Sequence, residues 1–126
     1  MNTKGNRVTG HFEKPTWVDY SGIYNGHAII FDAKQTSKTN FPLYNISLHQ
    51  YELLKSWHEK GARTFLIVYF SSKDKYYYLP FTLLNYAWKR AENGGRKSIA
   101  YSEFVECATE VKSKDWYTLH YLEVNA

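Results

Sequence analysis

The chain holds one cysteine, Cys107, which excludes an internal disulfide. Its five histidines, His11, His27, His49, His58 and His120, are scattered, and no Cys/His spacing matches a zinc site. No apolar run reaches membrane-spanning length, and neither a signal-peptide pattern nor a low-complexity tract is present. Acid is in short supply too. Twelve Asp and Glu face 16 Lys and Arg, giving a net charge of +4 and a pI near 9.1. That excess permits a polyanionic partner without demanding one. Together these absences point to a soluble, cytoplasmic protein in a reducing compartment, and 126 residues suit a single domain with one core.

Aromatic residues, by contrast, are abundant. Twelve Tyr, seven Phe and four Trp make up 18% of the chain, which suits strands, a dimer interface or base stacking. The stretch that organises the rest is His27-Ala28-Ile29-Ile30-Phe31-Asp32-Ala33-Lys34. Its apolar middle reads as a buried strand, and on a strand residues i and i+2 share a face, so Asp32 and Lys34 sit on one side. Charges placed against a core need partners. They form either a strand-end ion pair or a chemical site.

The tripeptide alone does not decide. Twelve acids and twelve lysines in this length give an acid-x-Lys match about once by chance, and a second one, Glu110-Val111-Lys112, exists. Context separates the two. Asp19 stands thirteen residues before Asp32, ahead of the turn signals Ser21-Gly22 and Asn25-Gly26, so one hairpin can bring the two acids together.

The remaining elements follow from periodicity. A polar, basic arm over residues 1–13 turns into a strand near Arg7 to Glu13, Lys14-Pro15 breaks it, and Thr16 to Tyr20 reads as a short strand carrying Asp19. Gln35 to Asn45 reads as a polar loop. Ser47 caps a helix with a Ser-x-x-Gln pattern; Tyr51, Leu54 and His58 form its stripe and Gly61 its stop. Arg63 to Phe70 reads as a strand buried on both faces, Ser71 to Asp74 as a turn, and Lys75 to Leu79 as the next antiparallel strand. A helix from Thr82 to about Asn93 shows helical spacing in Leu83, Tyr86 and Ala87. Ser102 is placed to cap a short helix over Glu103 to Thr109, and Tyr117 to Val124 alternates like a closing strand. The expected class is α/β or α+β, a mixed sheet covered by helices.

An acid on one strand, acid-x-Lys on the next and a helix after them resembles the core of the PD-(D/E)xK nucleases, the restriction-endonuclease-like fold. Asp19 to Gly26, Phe31-Asp32-Ala33-Lys34-Gln35-Thr36, Phe41-Pro42-Leu43-Tyr44-Asn45-Ile46 and His49-Gln50, taken in order, are similar to the RecU family of Holliday-junction resolvases. The resemblance implies residues 1–126 as a single nuclease domain with a basic arm at 1–13. It further implies a homodimeric, magnesium-dependent endonuclease, with manganese as a substitute, that nicks paired strands at four-way DNA junctions in recombination and repair and leaves a 5′-phosphate and a 3′-hydroxyl. Asp19 and Asp32 become metal carboxylates, Lys34 the transition-state lysine and Gln50 the helix residue near the metal. Family members often carry Glu where Asp32 stands, and a Thr just ahead of the first acid. Here Thr16 lies three before Asp19, with Trp17 at the position where that ligand belongs. Typical bacterial members have a longer front part, so the expectation is a compact variant, of a phage or mobile-element kind.

The chemistry also stands on its own. A phosphodiester is already negative, and a carboxylate-held Mg²⁺ both neutralises it and activates water. The carbonyl of Ala33 can add an oxygen ligand, and Lys34 can orient the water or stabilise the phosphorane. Gln50 has a competing explanation as the third helical residue of a capping box. Lys38, Arg7 and Lys14 are candidate phosphate contacts, Lys38 foremost because its loop leaves the catalytic strand. Competing functions are a less selective nicking or flap endonuclease and a non-catalytic DNA-binding recombination module.

Overall fold

The computed structural model describes residues 9–13 and 20–112. Six strands form one sheet in the order β1-β2-β3-β5-β6-β8: Thr9–Glu13, Tyr20–Tyr24, His27–Thr36, Arg63–Phe70, Lys75–Pro80 and Thr109–Val111. Only β3 and β5 run parallel among these pairs; every other neighbour is antiparallel. A parallel pair needs a crossover, which here contains the short β4 (Asn40–Pro42), one 3-10 turn (Leu43–Asn45) and helix α1 (Leu48–Glu59). This is the mixed, helix-flanked sheet of a restriction-endonuclease-like α+β fold.

The hairpin of β2 and β3 closes at Asn25-Gly26, where both residues have positive φ (52° and 79°) as a tight two-residue turn of this kind requires. Ser21-Gly22, expected as a turn, lies inside β2 and pairs with Ile30 and Ile29. Gly22 is not among the positive-φ glycines, so ladder pairing outweighs its turn preference. The expected strand at Thr16 to Tyr20 falls outside the described residues apart from Tyr20, which opens β2.

β5 is the central strand, with Leu66, Ile67, Val68 and Phe70 all at most 1% exposed. Its alternate residues serve two cores. Leu66, Val68 and Phe70 pack with Ile30 against the helices, and Phe65 and Ile67 pack with Ile29, Phe31 and Tyr78 on the opposite face. Burying each such side chain stabilises the fold by roughly 1.5–3 kcal/mol.

Two helices differ in detail from expectation. In α2 (Phe81–Glu92) the buried residues are Phe81, Leu84 and Ala87, leaving Tyr86 exposed. α3 (Tyr101–Cys107) starts before Ser102, with Ala100 at its N-cap. The carboxylate of Glu103 accepts the Ala100 N–H (3.0 Å), and the Tyr101 N–H is taken by the Thr39 carbonyl, so a tertiary contact sets this helix start.

The expected polar loop at Gln35 to Asn45 is more ordered than polarity suggests. β3 continues through Thr36, and β4 pairs antiparallel with β7 (Ser98–Ala100) in a separate two-stranded sheet. Phe41 is fully buried there, edge-on to Phe104. The chain reverses into β8 at Thr109–Val111, where a helix end was expected; the closing strand expected at Tyr117 to Val124 lies outside the described residues.

Candidate active site

Asp32 sits on β3 two residues beyond Ile30, so it projects from the same helix-facing side of the sheet, yet its side chain is only 2% exposed. A carboxylate so buried requires donors. Asp32 Oδ1 accepts the Ala33 N–H at 2.9 Å. Its Oδ2 accepts the Gln50 Nε2 amide and lies 3.0 Å from Lys34 Nζ. The expected sharing of one face by Asp32 and Lys34 is thus realised as a direct ion pair, with Lys34 23% exposed and so reaching toward solvent.

Gln50 arrives from α1. The Ser47 hydroxyl accepts the Gln50 backbone N–H (3.0 Å), which is the capping contact expected from the sequence. The Gln50 side chain, however, goes to Asp32 instead of closing the cap. Ser47 therefore fixes where α1 begins, and that beginning sets a buried amide against the acid. The capping pattern concealed this: a cap already satisfied by Ser47 leaves its Gln free for other work.

The backbone of Ala33 adds a second feature. In an extended strand a residue's N–H and C=O leave by the same edge. The Ala33 N–H donates to Asp32 Oδ1, so the Ala33 carbonyl leaves β3 by the same edge as that N–H. An acid, an amide and a main-chain carbonyl are hard donors of the kind a Mg²⁺ ion takes. These residues fit such an ion. Among the described residues no group of three His, Cys, Asp or Glu side chains forms a metal cluster.

Lys38 is exposed in the turn after β3. Thr36, buried, holds that turn: its hydroxyl donates to the Asn40 carbonyl (3.1 Å) and accepts the Lys38 N–H (3.2 Å), while its own carbonyl accepts from Ser71. Sequence reasoning gave Thr36 no role, although Thr-Ser-Lys-Thr-Asn is a favourable composition for such a side-chain-closed turn. Asp19, Thr16, Arg7 and Lys14 lie outside the described residues.

The second acid-x-Lys behaves differently. Glu110, on β8, is 34% exposed and pairs with Lys75 (3.3 Å) and Lys112 (3.6 Å), a solvated surface cluster.

A family model described as RecU, Recombination protein U, matches residues 1–126. "Holliday junction resolvase RecU" of Staphylococcus carnosus is 39% identical over 114 residues, covering 90% of this chain and 55% of the relative. The protein of the same name from Oenococcus oeni is 38% identical over 113 residues, 89% of this chain and 57% of the relative. The chain spans about half the length of the curated relatives it matches. By the extent of these matches, the chain belongs to the Recombination protein U (RecU) family.

Proposed function

We propose that this chain is a divalent-metal-dependent endodeoxyribonuclease that nicks paired strands at four-way DNA junctions, acting as a homodimer. The observation that carries this is the convergence of a buried carboxylate, Asp32, with Lys34 and Gln50 in a chain whose relatives are named Holliday junction resolvases. Asp19 joins them in this proposal as the second carboxylate. It directly precedes Tyr20, and Asp32 directly follows Phe31, Tyr20's partner across the hairpin. Thr16 is proposed as a supplementary ligand, and Arg7 and Lys14 as phosphate contacts beside Lys38.

The ion would be held by Asp32, Asp19, the Ala33 carbonyl and Gln50, with Mg²⁺ the proposed metal and Mn²⁺ a substitute. When bound, it supplies charge neutralisation at the phosphate and a more acidic water. The chain's own residues do the rest. Asp32 presents a fixed anion, because the Ala33 N–H and the Gln50 amide hold its two oxygens in place. Lys34 places an ammonium beside that anion, where it can hydrogen-bond the attacking water or the phosphoryl oxygen that gains charge. Attack by water on phosphorus breaks the P–O bond to the sugar 3′-oxygen, which takes a proton, and leaves the phosphate on the 5′ side.

Incubation with a synthetic four-way junction and with linear duplex, in Mg²⁺ and in EDTA, tests the proposal. Symmetric nicks in the junction alone, lost in EDTA and in Asp32→Asn while junction binding persists, are expected. Equal cutting of duplex would replace the reading with a less selective nuclease, and binding without cutting would replace it with a DNA-binding module. Sedimentation of the same sample as a monomer only would remove paired incision by this chain alone.

A further inference from the structure

Tyr44 is 74% exposed, the most open large apolar side chain among the described residues. A single exposed aromatic is ordinary on a protein surface. What surrounds this one is not. Lys38 Nζ lies 5.8 Å from the centre of its ring. The Leu43 N–H is bound to the Lys97 carbonyl (3.0 Å), and Pro42 pairs with Ser98, so the β4/β7 sheet carries exposed Lys97 to the residue next to Tyr44. Among the described residues neither Lys38 nor Lys97 has a carboxylate within ion-pair distance, whereas Arg96 next door is occupied by Glu103 at 2.9 Å.

The patch is tied to Asp32 by two routes. Lys38 follows Lys34 by four residues through the turn that Thr36 holds. Tyr44 precedes by three residues the Ser47 cap that positions Gln50. Exposed Leu48 follows that cap directly, as the first residue of α1. Tyr86, 66% exposed, offers an internal contrast: the cation over its ring is Arg90, whose guanidinium already binds Glu103 and the Ser98 carbonyl.

We propose that Lys38, Tyr44 and Lys97 form a contact surface for unpaired or unstacked DNA beside the cleavage site, the Tyr44 ring stacking on a base at the branch point and the two ammonium groups binding the flanking phosphates. This rests on the reading that the chain handles branched DNA. An exposed ring stacks on any base, and two cations with no carboxylate partner among the described residues contact phosphates without reading sequence, so the surface selects for strand distortion and not for a base order.

The test is binding in EDTA to a four-way junction carrying 2-aminopurine at the branch point. Fluorescence is expected to quench on binding of the parent chain and of Tyr44→Phe but not of Tyr44→Ala, with affinity for Tyr44→Ala falling about tenfold. Tyr86→Ala is expected to match the parent. Lys38→Ala and Lys97→Ala should each lower the slope of log affinity against log salt by about 0.7–0.9. Unchanged affinity and quenching in Tyr44→Ala would overturn the proposal, and the Mg²⁺ cleavage assay tells the two readings apart. A chain that cuts junctions equally well with Tyr44→Ala loses only this surface. A chain that quenches through Tyr44 but never cuts loses only the nuclease. A chain that binds no branched DNA loses both.

Discussion

Lys34 Nζ lies 3.0 Å from Asp32 Oδ2, and the lysine reaches solvent while the acid does not. This asymmetry bears on the proposed cleavage. Asp32 is fixed in the interior, and Lys34 stands at the boundary where a phosphate would arrive. Lys34→Ala is expected to lower kcat for junction cleavage by about a hundredfold to a thousandfold, with junction affinity within about threefold of the parent. Single-turnover cleavage beside equilibrium binding separates the two quantities, and an equal loss in both would make Lys34 a phosphate anchor instead.

Gln50 can be altered without touching the cap, since Ser47 accepts the Gln50 backbone N–H and not its side chain. Gln50→Ala leaves Asp32 Oδ2 one donor short in a buried place, at a cost of about 1–3 kcal/mol in stability. Gln50→Glu is more informative about a metal. It sets a second carboxylate against Asp32, and like charges this close destabilise the metal-free fold. Thermal melting should show Gln50→Glu below the parent in EDTA, and a larger rise on adding Mg²⁺ than the parent gives. A rise no larger than the parent's would count against an ion at this place.

The sequence made the central strands legible because their signals are local and redundant. Phe65 to Phe70 is a continuous aliphatic and aromatic run that contributes to cores on both faces of the sheet, and Ser47 begins α1 as its hydroxyl chemistry dictates. Legibility failed where pairing is non-local. β4 has three residues and finds its partner β7 more than fifty positions later, so no period reveals it. Ser21-Gly22 carries a turn composition, but the ladder to Ile29 and Ile30 decides its conformation. At the site, the i, i+2 spacing of Asp32 and Lys34 was readable from strand geometry. The Gln50 contact was not, because it depends on how α1 lies on the sheet.

Glu103 links three segments: it accepts from Arg90 (2.8 and 3.2 Å), from Arg96 (2.9 Å) and from the Ala100 N–H. The Arg90 hydrogen bonds hold its carboxyl below the usual range, with the Ala100 N–H and Arg96 assisting. A carboxyl whose folded pKa is depressed contributes stability that is fully present above its unfolded pKa, about 4.3, and is lost as pH falls through the lower folded value. Urea midpoints should therefore drop for the parent between about pH 5 and pH 3 more than for Glu103→Gln, which starts about 1–2 kcal/mol less stable near neutrality. Parallel pH profiles for the two chains would remove Glu103 from the acid response.

Glu110-Val111-Lys112 has the same spacing as Asp32-Ala33-Lys34, and that likeness makes it a control inside the molecule. Its acid is 34% exposed and shared between Lys75 and Lys112, at 3.3 and 3.6 Å, in water-facing geometry. Exposed pairs of this sort contribute about 0–1 kcal/mol, and no buried amide orients the carboxylate here as Gln50 orients Asp32. Glu110→Gln and Lys112→Ala should each change stability by less than about 0.5 kcal/mol and leave the rate of junction cleavage within about twofold of the parent. Burial and a fixed donor, not spacing, would then distinguish the chemical site from its sequence double. A large loss of cleavage in Glu110→Gln, in a chain that still melts at the parent temperature, would reverse that conclusion and move the search for the catalytic carboxylate to β8.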